Sequence, residues 1–294
     1  MRADSRISNF RAIEFALLAL LAAAPAAVRA DEIDTEHLFG FTIGSDVGNV
    51  GEREIEGSTT GRFSKRTGSY GAIAQTLSAE FVPMENLRAE FGGAVASHRI
   101  AGVAGFEDRQ QVTFSGFSVD LRYRLMDRAT APFGLAIGAE PRWGRVEEVT
   151  GAAVQQYGVD FVVALDKEIV PDRVVAAFNL LYQPEIKRDR ATATWSGEST
   201  AGVAAALMTQ IQPGVFLGGE ARYLQKYEGA GFGELAGHGF FLGPTFYMKL
   251  SRGAWMAAAW SAQVAGHAVA AAPGSLDLVN FERHQVRFLF GVSF

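Results

Sequence analysis

Along most of the chain apolar side chains fall on every second position, and a period of two predicts extended strands, because successive strand side chains point to opposite faces. The alternation is sharpest where Phe117, Val119, Leu121, Tyr123 and Leu125 oppose Ser118, Asp120, Arg122 and Arg124. The last nine residues repeat it, setting Val286, Phe288, Phe290, Val292 and Phe294 against a face with Arg287, Gly291 and Ser293. The same period predicts about twelve strands, each near the ~10 residues that cross a bilayer. They lie near residues 37–47, 70–82, 87–97, 117–125, 133–143, 157–167, 174–183, 199–211, 215–227, 240–250, 254–265 and 284–294. In the first, Phe39, Phe41 and Ile43 share a face; the seventh and eighth are apolar or Ala-rich on both faces, and their facing stays open.

The connections alternate in length. Short turns are expected at Pro83–Asn86, Met126–Ala131, Glu168–Asp172, Gln212–Gly214 and Ser251–Gly253, and long segments such as Gly48–Gly68, Arg99–Gln110 and Ala265–Asn280 lie between them. Together with a final Phe on an alternating strand, this plan resembles the bacterial outer-membrane β-barrels. The resemblance implies an all-β, transmembrane, up-and-down antiparallel barrel of about twelve strands with both termini on the periplasmic side. It further implies that Phe288, Phe290, Val292 and Phe294 form the signal read by the barrel-assembly machinery, and that the partners are outer-membrane lipid and lipopolysaccharide. A soluble β-sandwich would need polar outer faces, whereas here one face of the strands is continuously aliphatic and aromatic. Two aromatic girdles are expected, with Tyr123, Phe133, Tyr247, Trp255 and Phe294 toward the short turns and Trp143, Tyr157, Tyr182, Trp195 and Tyr227 toward the long loops.

The first thirty residues stand apart. Arg2, Arg6 and Arg11 precede an apolar run from Phe15 to Val28 that Pro25 interrupts, and Val28-Arg29-Ala30 offers a cut before Asp31. That is the layout of a cleaved export signal (1–30), leaving 31–294 as one barrel domain in the outer membrane. Its removal takes four Arg and two acids from 27 basic and 32 acidic residues and leaves a net charge of −7, which gives no reason to expect nucleic acid. There is no Cys, so disulfides, thiolate metal sites and Cys nucleophiles are excluded. Only Asp31–Glu36 precede the first predicted strand, too little for a plug.

Candidate chemistry lies on the inward face. A charged wall is expected from Arg88, Glu90, Asp120, Arg122, Arg124, Glu140, Arg142, Asp160, Glu220, Arg222 and Arg287. A wall of small or uncharged residues is expected from Ala177, Asn179, Gly202, Ala204, Ala257, Ala259, Ser261 and Gln263. Eight strands are filled by side chains and sixteen leave a channel, so in twelve the small wall decides whether water passes. The expectation is a monomeric or loosely associated porin-like channel carrying small polar solutes along the small wall. Alternatives are a structural barrel with a closed, salt-bridged lumen and a surface lipid or lipid A hydrolase. For the last, Ser97 and His98 are the nearest candidates, but adjacent strand residues face opposite ways and cannot pair. The outer histidines His98, His238, His267 and His284 show no metal-ligand spacing, so neither a metal site nor a cofactor is expected.

Overall fold

The computed structural model describes residues 33–271 and 274–294; the export signal read at 1–30 lies outside them. Twelve strands run up and down: β1 (Arg53–Phe63), β2 (Ser69–Met84), β3 (Leu87–Ala101), β4 (Arg109–Met126), β5 (Gly134–Val146), β6 (Ala153–Val170), β7 (Val174–Asp189), β8 (Trp195–Gln212), β9 (Val215–Glu228), β10 (Leu235–Ser251), β11 (Ala254–Ala268) and β12 (His284–Ser293). Each pairs antiparallel with its neighbours, and β12 closes on β1 with Glu54 opposite Ser293 and Thr59 opposite Phe288. Closure leaves no sheet edge, the condition for backbone to cross hydrocarbon without unpaired polar groups. No helix among the described residues is long and apolar enough to cross a membrane.

The outward positions are those the alternation selects. Leu77, Phe91, Phe161, Leu180, Leu207 and Phe288 stand exposed around the circumference, an apolar belt that only lipid can cover. The protein is a closed β-barrel with a lipid-facing outer surface. At the periplasmic end the strands meet in tight turns; Asn86 takes a left-handed conformation (φ 65°) in the β2–β3 turn and accepts a hydrogen bond from Arg124 Nε at 3.0 Å.

Three expectations need correction. Residues 37–47 form no strand; the first strand is β1, inside the stretch read as a long loop. Its charged start (Glu52-Arg53-Glu54) and an outward face of Ile55, Gly57, Thr59, Gly61 and Phe63 hide the apolar period. The Phe63 ring lies over Gly61 and Gly71, supplying apolar cover that those glycines lack. Second, most outer connections are short (64–68, 102–108, 147–152, 190–194 and 229–234), because the strands extend outward through polar stretches; only 269–283 is long. Third, Tyr247 and Trp255 are buried inside the barrel and take no part in a lipid-facing girdle.

Candidate functional site

The barrel interior is a polar, charged space, and residues 33–48 occupy its periplasmic half. This N-terminal segment has no strand partner, so its backbone groups must be satisfied by lumen side chains. Glu220 on β9 does most of this. Its carboxylate accepts from three consecutive backbone N–H groups, those of Gly40 (2.7 Å), Phe41 (2.9 Å) and Thr42 (2.6 Å), and from the hydroxyls of Thr42 (2.8 Å) and Thr245. Successive N–H groups aimed at one anion form the concave nest that elsewhere binds phosphate, and here the anion belongs to the barrel wall.

Two further side chains hold the segment. Asn179 on β7 imitates a neighbouring strand, accepting from Ile43 N–H at 2.7 Å and donating to Ile43 C=O at 2.8 Å. Asp166 on β6 accepts from Ser45 N–H and the Thr35 hydroxyl, both at 2.6 Å. From the periplasmic turn Arg128 reaches Asp46 at 2.7 Å and the carbonyl of Ile33. The Arg222 guanidinium lies 3.9 Å from the centre of the Phe41 ring, and Arg287 donates to Gly40 C=O at 3.1 Å.

Apolar packing adds to these bonds. Leu38 and Phe39 are buried in a cluster with Val175, Ala177, Met208, Phe216, Trp255 and Leu289 on the inner wall. Burying two such side chains contributes roughly 3–6 kcal/mol before ordering entropy is subtracted. At Gly40 an added Cβ would stand 2.2 Å from the Cβ of Ala259, so close approach here needs a glycine against a small partner.

The small-residue wall therefore has a different use from the one expected. Ala177, Asn179, Ala204, Ala257, Ala259, Ser261 and Gln263 are inward and buried, and Gly202 is half-buried. They do not flank open water: Asn179 and Ala259 seat the N-terminal segment, and Gln263 is capped from outside, donating to Asp277 C=O at 3.0 Å.

The residues of the charged wall are buried or partly buried, and several form ion pairs with one another and with other lumen acids. Arg88 joins Asp120 (2.8 Å), Glu36 (3.1 Å), Glu90 (3.2 Å) and Glu80 (3.3 Å), and Arg122 joins Asp120 (2.6 Å). Arg124 reaches Asp127 (3.4 Å) and Asp46 (3.7 Å). Arg142 takes Asp160 and Glu185, both at 3.1 Å, while Glu140 lies opposite Asp160 in the β5–β6 register. Arg222 donates to Gln285 at 2.7 Å.

Beside Arg88 stands His37, carried by the N-terminal segment and stacked on Trp255 at 4.0 Å. Burial, with the charges of Arg88 and Arg122, pushes its imidazole well below the ordinary range, so it is neutral. Its ring nitrogens face Glu54 (3.3 Å), Glu36 (3.7 Å) and Glu56 (3.7 Å). No sequence pattern marks this group, since β1 and its inward acids Glu54 and Glu56 fall in the stretch expected to be a loop.

At the outer end two connections fold inward. Lys65 donates to the carbonyls of Phe281 (2.9 Å) and Val279 (3.2 Å), and Phe281 meets Phe241 edge to face. In the β5–β6 connection Arg62 pairs with Glu148 at 2.5 Å, Tyr70 donates to Val149 C=O at 2.9 Å, and His98 Nε2 lies 2.9 Å from Glu148 C=O. Burial acts to raise the Glu148 carboxyl, but Arg62 and Arg142 outweigh it and hold the group below its usual range. His98 thus serves the outer closure, while Ser97 faces the other way.

Along β5–β9 the inward charges are partly exposed to solvent. Lys187 reaches Glu198 at 3.0 Å near the outer rim, Lys226 pairs with the same carboxylate, and below them Arg142 and Asp160 are each 26% exposed. These partly exposed charges run inward from the outer rim.

The sequence model of a family of unknown function (DUF6662) matches residues 31–294. No curated protein matches the chain in sequence. Among solved structures, the COG4313 outer membrane channel from Pseudomonas putida F1 is similar with a TM-score of 0.56 at 10% identity, over 85% of this chain and 98% of that one. The translocator domain of autotransporter NalP from Neisseria meningitidis is more distant, with a TM-score of 0.43 at 13% identity over 85% and 90%. OmpT of Vibrio cholerae gives 0.37 at 10% identity over 82% and 96%. The first of these likenesses shows a shared fold.

Proposed function

We propose that this chain, which belongs to the DUF6662 family and folds as an outer-membrane barrel, is a narrow porin-like channel for small polar solutes, with residues 33–48 as its internal barrier. The observation that carries the reading is the partly exposed inward group of Lys187, Glu198, Lys226, Arg142 and Asp160, charge that solvent reaches inside the barrel. A barrel serving only as scaffold has no need of hydrated charge in its lumen, since dry apolar filling avoids the desolvation penalty. The fold likeness to an outer membrane channel is consistent with this and says nothing of the solute. Both signs of charge occur in this group, which favours zwitterions and neutral polar molecules over ions of one sign. In the same reading the outward residues Phe288, Phe290, Val292 and Phe294 are what the assembly machinery recognises.

Liposome swelling with sugars and amino acids of graded size tests the proposal. The protein lacking residues 33–48 should admit the smaller solutes faster than the intact protein. Identical rates for both, at the level of protein-free liposomes, would remove the channel reading.

A further inference from the structure

We propose that His37, Glu54 and Glu56 form a site for a divalent transition cation of the zinc class, which ties the N-terminal segment to β1. One imidazole nitrogen and one carboxylate oxygen from each acid lie within 4.8 Å of one another. Ligand atoms around a tetrahedral zinc, bonded at about 2.0–2.2 Å, stand roughly 3.4 Å apart, so small side-chain rotations complete the set. Nitrogen with hard oxygens is the donor set that zinc and its first-row neighbours accept.

An independent observation points to a missing positive ligand. Glu54 is 3% exposed, and its two oxygens differ sharply. Oε2 accepts from Trp255 Nε1 (2.9 Å) and the Ser293 hydroxyl (2.6 Å). Oε1 is buried without a hydrogen-bond donor and stands 3.3 Å from His37 Nε2. A buried acceptor without a donor is costly to leave unmade. The surrounding charge deepens the need: Glu36, Glu54, Glu56, Glu80, Glu90 and Asp120 gather around the guanidiniums of Arg88 and Arg122, with Arg287 acting on Glu56 from farther off. Arg88 already engages Glu36 and Glu80, whereas among the described residues Glu54 Oε1 and Glu56 have no guanidinium within ion-pair distance and face only His37.

The arrangement has a structural meaning. His37 comes from the segment that fills the lumen, and Glu54 and Glu56 come from the wall. A cation shared between them is a cross-link that a chelator can remove, and it does so whether or not the barrel conducts solute.

The test uses tag-free, full-length mature protein in detergent, stripped with chelator and titrated with Zn2+ by calorimetry and with Co2+ by visible absorption. We expect one cation per chain, Co2+ bands of a nitrogen and oxygen site, and affinity weakened at least about tenfold in each of Glu54→Gln and His37→Asn. Retained heat-modifiable gel mobility establishes that both variants are folded, and the Co2+ spectrum of the unaltered protein needs no variant at all. Absence of cation uptake by the stripped protein, meaning that a proton alone satisfies Glu54, would overturn the site. So would binding that survives both substitutions but is lost in His267→Ala, which places the cation on the outer His238–His267 pair.

Discussion

At the scale of single residues, Glu220 decides whether the N-terminal segment stays seated. Three backbone N–H groups and two hydroxyls converge on its carboxylate, and hydrogen bonds to a buried charge contribute about 1.5–3 kcal/mol each when broken singly. Glu220→Ala should therefore weaken docking by on the order of 3 kcal/mol or more and expose the Gly40–Thr42 backbone to protease, with the barrel itself intact. A segment as protected in the variant as in the parent would refute this. Gly40 offers a second handle: Gly40→Ala should undock the segment through the clash at Ala259, and adding Ala259→Gly should restore much of the protection. A double-mutant cycle without coupling would mean the two residues do not share that contact. The acid on β9 was legible as an inward charge, but its partners were not, because spacing along one strand cannot reveal a chain threaded through the lumen.

At the scale of elements, strands β2–β12 were legible because lipid imposes an apolar position at every second residue. The first strand was not. The segment at 37–47 carries Phe39, Phe41 and Ile43 in alternation yet uses them against the inner wall and Arg222, while β1 meets lipid with glycine and threonine. The ambiguity of β7 and β8 has the same origin. Their inward Val175, Ala177, Ala206 and Met208 are apolar because Leu38 and Phe39 lie on them, so two-faced hydrophobicity in a barrel strand marks something apolar inside. The resolved facing of β7 is testable. Leu180→Lys places a charge on the lipid side near mid-strand and should destabilise the barrel by about 2–4 kcal/mol in urea unfolding from detergent or lipid, whereas Ala177→Ser on the inner side should cost under about 1 kcal/mol. The reverse ranking would turn the strand over.

At the scale of the molecule, one closed wall separates two solvents. Outside, the belt requires lipid; inside, charged side chains line the space that twelve strands leave around the N-terminal segment below and the 274–283 and 147–152 connections above. The barrel plan could be read from the sequence because it repeats in every hairpin. The plug could not, because a short stretch without its own secondary structure leaves no periodic trace. On the proposed reading, residues 33–48 close the lumen. Single-channel recording in planar bilayers tests it most directly, comparing intact protein with protein lacking that segment: we expect few or small conductance steps from the first and frequent larger steps from the second. Equal conductance from the two, with both shown to be folded, would contradict the account.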